Sequence, residues 1–228
     1  MRRYSFQVAK ASIEHHFDFK VVDEVRTSYQ IVPKQPGCVI LDIEPNRLRY
    51  LNWGLIPADS KDGANDGRLI NARMETISSQ PSFRMPVREK RCLILADSYY
   101  EWNDIGLKKY PYRVVPFNKS LMVIAGIWDT WKSGEFMVHS FSAVTTKSNG
   151  LVNTIASRMP VVLETKKEQI KWLSDLLLKE SLEMMQAPNA DYLNVYRITE
   201  KANNSKYNAP DLHKEVSVPL NIDPKSKK

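Results

Sequence analysis

Residues 91–102 read Arg-Cys-Leu-Ile-Leu-Ala-Asp-Ser-Tyr-Tyr-Glu-Trp. Apolar and aromatic residues fill the run, so it reads as a strand, with Glu101 set between Tyr100 and Trp102. Working outward, 29–33 (YQIVP), 38–44 (CVILDIE), 48–56 (LRYLNWGLI), 112–116 (YRVVP), 120–128 (SLMVIAGIW) and 136–146 (FMVHSFSAVTT) have the same content and read as further strands. Residues 9–17 (AKASIEHHF) suit a short helix. Thr165 followed by Glu168 has the form of a capping box, in which each side chain satisfies an orphan amide at a helix start. Ile170, Leu173, Leu176 and Leu177 then fall on one face, which predicts an amphipathic helix over 166–178. A second helix is expected near 180–186, before Pro188, and 193–199 (LNVYRIT) returns to a strand. Strands fill the middle of the chain and helices its ends and connections. The expected class is α+β: a single domain built on a curved, mainly antiparallel sheet or open barrel with flanking helices. No linker or repeat divides it, so the domain is expected over 1–222, with 223–228 a disordered basic tail.

The chain has 228 residues, of which 43% are hydrophobic, enough for a substantial core. No apolar run approaches the roughly 18 residues of a membrane span, and MRRYSFQVAK lacks the apolar segment of a secretion signal. A soluble, cytoplasmic protein without a membrane partner is therefore expected. The formal charge is +7, part of it from Lys225, Lys227 and Lys228 in the tail. A mildly basic balance is compatible with nucleic acid and equally with a solvated mixed-charge surface. Cys38 and Cys92 both sit in strand-like apolar runs that favour buried, inert thiols, and a disulfide between them is not expected. No metal is expected either, because no Cys or His pair has ligand spacing and the adjacent His15 and His16 point apart from a helix or a strand. No signature of any other cofactor is present. His139 lies in an alternating strand and reads as a solvent-facing or satisfied histidine.

A second run, Ile-Asn-Ala-Arg-Met-Glu-Thr at 70–76, places an amide, a guanidinium and a carboxylate in otherwise apolar surroundings about thirty positions before Glu101. Such groups cost free energy when half buried, so they tend to be matched to each other or to a ligand. The two runs together read as a site.

Taken in order, Arg3-Tyr4-Ser5, Trp53-Gly54-Leu55-Ile56-Pro57, Asn71-Ala72-Arg73, Glu75-Thr76, Arg91-Cys92-Leu93, Ala96-Asp97, Tyr100-Glu101-Trp102, Ala125-Gly126-Ile127-Trp128, Thr145-Thr146 and Arg158-Met159-Pro160 resemble the ordered blocks of the SRAP family, the SOS-response-associated peptidases or abasic-site processing proteins. The resemblance covers nearly all of residues 3–163, with a weaker echo near Asn203, Asn204 and Pro210. It implies binding of single-stranded DNA in a basic channel and recognition of an abasic site, whose opened sugar exposes an aldehyde. In the family an N-terminal cysteine condenses with that aldehyde through amine and thiol to give a stable thiazolidine crosslink.

This chain departs from that pattern at two reactive positions. Aligning Arg3-Tyr4-Ser5 puts Met1 on the cysteine and Arg2 on a glycine, and Ala156 stands where the family usually has a histidine. Removal of Met1 by an aminopeptidase is not expected before the bulky Arg2. Both losses take away reactive groups and leave binding groups in place. The resemblance assigns Glu101 to proton handling and Asn71 to the abasic sugar or its phosphate. Arg73 and Arg158 offer planar forks to phosphate, with Arg2 and Arg3 adding charge at the channel mouth. Trp53 and Trp102 are candidates to stack on bases, against the alternative that each is core. Three readings remain open. One is a binder of abasic single-stranded DNA without a durable bond. The second is a lyase that forms a Schiff base through the Met1 α-amine, because α-amines titrate close enough to neutrality to be nucleophilic. The third is a role outside nucleic acid in an inherited pocket. Nothing in the sequence supports proteolysis of other proteins.

Overall fold

In the computed structural model, which describes residues 1–64, 67–118 and 121–217, twelve strands form two sheets. The first contains β1 (Arg3–Phe6), β2 (Ser28–Ile31), β7 (Ser98–Ile105), β8 (Lys108–Pro116) and β12 (Leu193–Arg197), in the order β12-β8-β7-β1-β2. The second contains β3 (Pro36–Leu41), β4 (Glu44–Trp53), β6 (Arg91–Ala96), β9 (Met122–Ser133), β10 (Phe136–Lys147) and β11 (Arg158–Pro160), in the order β11-β10-β4-β3-β6-β9. Because β9 also pairs with β10, five of its strands close into a barrel, and β5 (Asn71–Arg73) is added along β10. All pairings are antiparallel except those of β10 with β4 and β5. The expected α+β domain on a curved, mainly antiparallel sheet or barrel is thus what forms. The helices are α1 (Lys10–Phe17), α2 (Pro81–Arg84), α3 (Pro86–Glu89), α4 (Lys166–Leu173) and α5 (Leu178–Glu183).

β6 is buried along its whole length, and so are the first eight residues of β9. A strand covered on both faces carries a continuous apolar run rather than an alternating one. One cover is Trp172 of α4, fully buried, whose indole N–H is shared between the carbonyls of Cys92 (3.1 Å) and Gly126 (3.2 Å). Gly126 is required by that packing: a Cβ there would lie 2.7 Å from the Cys92 sulfur. Gly54 ends β4 at φ 117°, a conformation that a side chain would strain. Both cysteines are free and buried, and burial pushes the Cys38 thiol up to about 12 and that of Cys92 well above its usual range, as expected of inert thiols.

Two expectations about elements need correcting. The run 91–102 is two strands, not one, and they lie in different sheets. Asp97 makes the corner: its amide donates to Ser5 carbonyl (3.0 Å), and its carboxylate accepts from Gln7 amide (2.7 Å) and Arg113 Nη2 (2.6 Å). The helix expected over 166–178 ends at Leu173, because Ser174 turns to extended backbone at ψ 169°. Its buried residues are Gln169 and Trp172, while Ile170 and Leu177 are 71% and 75% exposed. The capping box of Thr165 and Glu168 is present. The expected tail at 223–228 lies outside the described residues, as does the end of the 1–222 domain. Among the described residues no helix is long and apolar enough to cross a membrane.

Candidate functional site

β1 runs antiparallel to β7 with Arg3 opposite Tyr100, a register whose continuation sets residues 1 and 2 beside Trp102 and Glu101. The Met1 side chain is wholly buried in the core, whereas the residue as a whole is 6% exposed, so what remains accessible of it is main chain. Its α-amine lies 2.9 Å from Glu101 Oε1, and Asn71 Nδ2 donates to its carbonyl at 2.6 Å. The thioether acts as an anchor and the amine faces outward. This end of the chain floors a groove of about 1,330 Å³, lined by Asn71, Arg73, Glu101, Trp102 and Arg158 among others.

The second wall comes from β10 and its neighbours. β5 lies parallel to β10 on one side (Asn71 beside Ala143, Arg73 beside Thr145), and β11 lies antiparallel on the other (Arg158 beside Lys147). Asn71 and Arg73 are two residues apart on a strand, so both project to the groove while Ala72 between them is buried. Arg158 donates Nη1 and Nη2 to the two carboxylate oxygens of Glu75, both at 2.9 Å, and Nη2 also to Thr145 carbonyl at 2.8 Å. That fork holds the Glu75 carboxyl below the usual carboxylate range. Asn71 Oδ1 and Arg158 Nε are buried without hydrogen-bond partners. Such atoms are not peculiar to the groove, since Tyr4, Tyr99 and Ser142 in the core also carry one each.

The four arginines fall into two classes. Arg3 Nη1 donates to Gln30 Oε1 (3.0 Å) and to Ala202 carbonyl, Nη2 donates to Asn203 carbonyl (3.2 Å), and the guanidinium lies 4.9 Å from the Trp102 ring centroid. Arg3 and Arg158 are therefore engaged within the protein. Arg2 and Arg73 are exposed, and no hydrogen bond or ion pair holds either guanidinium group among the described residues.

The tryptophans also divide. Trp102 is half-buried at the groove, and its indole N–H donates to Asn203 Oδ1 at 2.7 Å. Trp53 is a correction. It is fully buried, donates its indole N–H to Ile70 carbonyl at 2.9 Å and packs edge-on against Tyr4 at 5.2 Å, so it cannot reach a base. The aromatic content of its strand marked it equally well as core, and core is what it is. Ala156 is partly buried against the core, with its carbonyl accepting from Ser148 Oγ at 2.5 Å. His139 is exposed and bonded through Nδ1 to Thr130 Oγ1 at 2.8 Å, away from the groove. Glu101 pairs with the chain's own amine. Polar groove residues not singled out as site residues from the sequence are Arg68, Asp104 and Lys109, together with Thr145, within a quoted family block, and Asn203, within the weaker echo.

An amine against a carboxylate is equipped for carbonyl chemistry. A carboxylate beside an amine is placed for proton exchange with it, and neighbouring guanidinium groups attract anions.

Comparison with known proteins gives the family of the chain. The chain is 38% identical over 196 residues to the abasic site processing protein YoqW of Bacillus subtilis, covering 83% of this chain and 86% of that one. It is 34% identical over 218 residues to the abasic site processing protein YoaM of the same organism, covering 92% and 96%. A crystal structure of a protein from Bacteroides thetaiotaomicron superposes with a TM-score of 0.86 at 25% identity, covering 95% of this chain and all of that one. A sequence profile described as SOS response associated peptidase (SRAP) matches residues 2–205, and the chain belongs to the SRAP family.

Proposed function

We propose that this protein binds single-stranded DNA at abasic sites and holds the lesion without the family's thiazolidine crosslink, as part of a cytoplasmic response to DNA damage. The observation that supports this reading is the α-amine of Met1 held 2.9 Å from Glu101, in a groove with two uncommitted guanidinium groups and no thiol beside the amine. A thiazolidine needs nitrogen and sulfur on one residue. Here the sulfur at this place is a thioether buried in the core, and Cys38 and Cys92 are buried in the barrel.

The same contact favours a second reading, transient imine chemistry. Glu101 accepts a proton from the ammonium, the nitrogen adds to the sugar aldehyde, and loss of water gives the imine. Removal of a C2′ proton then shifts electrons to expel the 3′ phosphate, and hydrolysis of the imine returns the amine and a cut strand. Without sulfur to close a ring, the adduct stays hydrolysable.

A denaturing gel after incubation with an abasic oligonucleotide tests both. The expected result is no shifted band without reductant and a shifted band when borohydride is present. A stable band without reductant would refute the reversible reading, and absence of a band with borohydride would refute the imine.

A further inference from the structure

We infer that Asn203 is a positioning residue of this site: it ties together the three strands that carry the groove's reactive wall and sets the placement of the Met1 amine and Trp102 beside Glu101. The inference rests on the functional reading above. Asn203 belongs to the short helical turn Glu200–Asn203, far along the chain from the groove strands, yet it lines the groove. Its side-chain oxygen accepts the Trp102 indole N–H at 2.7 Å, and its side-chain amide donates to Lys109 carbonyl at 3.3 Å. Its own carbonyl accepts from Arg3 Nη2 at 3.2 Å. The residues so fixed stand next to the chemistry: Arg3 is two residues from the amine on β1, and Trp102 follows Glu101 on β7.

One residue therefore touches the strands of both partners of the amine–carboxylate pair, β7 through its side chain and β1 through its main-chain carbonyl. It also fixes the plane of the Trp102 ring, whose face lies by the Arg3 guanidinium at 4.9 Å. Lys109 joins this set because β8 pairs with β7 and places Asp104 opposite Lys109. The carbonyl of Ala202, the residue before, takes a further Arg3 hydrogen bond, and Gln30 Nε2 donates to Asn204 and Tyr207 carbonyls at 2.9 and 2.7 Å. Removal of the Asn203 side chain thus leaves the main-chain ties of the turn in place and frees only the Trp102 and Lys109 contacts. Misplacement of a reacting group by about 1 Å costs up to roughly 100-fold in rate, so a small loosening is measurable.

The test compares the full chain with Asn203→Ala, Asn203→Asp and Trp102→Phe. Three readouts are taken: thermal unfolding, the Trp102 indole N–H resonance, and the rate of borohydride-trapped adduct at saturating abasic oligonucleotide. The indole resonance is identified by its loss in Trp102→Phe. The Ala variant is expected to unfold as the wild type does, to show a displaced indole resonance, and to trap roughly 10-fold to 100-fold more slowly. Asn203→Asp keeps an acceptor for the indole and is expected to restore both signals. Trp102→Phe removes the donor and reproduces the slow trapping without touching Asn203. A wild-type trapping rate in the Ala variant, or in Trp102→Phe if the Ala chain does not fold, overturns the inference. Absence of any trapped species in the wild type instead refutes the imine reading. Asn203 is then judged by the indole resonance and by affinity for abasic single-stranded DNA: unchanged values in the Ala variant overturn its role, and a shift with weakened binding supports it.

Discussion

The barrel and the groove wall use the same residue types to opposite ends. In the barrel, Trp53 and Trp172 are wholly buried with each indole N–H given to a main-chain carbonyl, and Arg91 spends its guanidinium on carbonyls of Trp172, Val87 and Arg88. At the groove, Trp102 is half-exposed, and the guanidinium groups of Arg2 and Arg73 have no hydrogen-bond or ion-pair partner among the described residues. Side chains spent on main-chain carbonyls hold the scaffold, whereas free guanidinium groups at a concave surface are available to an anion.

The largest effect is expected inside the barrel. Trp53→Ala removes a fully buried indole and its hydrogen bond and should lower stability by about 3–5 kcal/mol, read as a fall in the urea midpoint. At the groove, Trp102→Ala should leave the midpoint nearly unchanged and weaken binding to single-stranded DNA by about 1–3 kcal/mol in titrations. Equal loss of stability in the two variants would erase the contrast. Arg73→Ala should weaken binding across sequences and reduce the steepness of log affinity against log salt by about 0.7. Arg3→Ala, in contrast, should register first as lost stability, because its fork is bonded to the 202–203 turn.

The smallest effect concerns a half-buried histidine away from the groove lining. Burial, with the Arg113 charge, lowers His213 from 6.5 to about 4, against the weaker pull of Asp97. The folded chain thus binds this proton less tightly than the unfolded chain. The corresponding stability is present above about 6.5 and is lost as pH falls toward 4. His213→Asn should flatten the melting temperature across that window, and an unchanged slope would show that other groups carry it.

Much of this was legible in the sequence for physical reasons. Runs such as Cys92–Ala96 and Met122–Trp128 are apolar without a break because they are covered on both faces, and the Thr165–Glu168 box is a local device that local sequence specifies. Glu101, Asn71 and Arg73 stood out as polar groups in apolar runs. The chain's change of sheet at Asp97 was not legible, since it depends on Ser5, Gln7 and Arg113 from distant strands. Nor was the early end of α4, because Ile170, Leu173, Leu176 and Leu177 keep helical spacing through a segment that has already become extended. The ties of Arg158 to Glu75, Trp102 to Asn203 and Arg3 to Asn203 join residues 83, 101 and 200 positions apart, which no local pattern encodes.

The central claim is that the reactive atom of this site is the Met1 nitrogen, held by Glu101, with no sulfur beside it. Its most direct test is tryptic mapping by mass spectrometry after incubation with an abasic oligonucleotide, with and without borohydride. The adduct should appear on the Met1-Arg2 peptide only in the reduced sample and should be lost in Glu101→Gln. An adduct on that peptide in the unreduced sample, or one found instead on a lysine or a cysteine, would contradict the account.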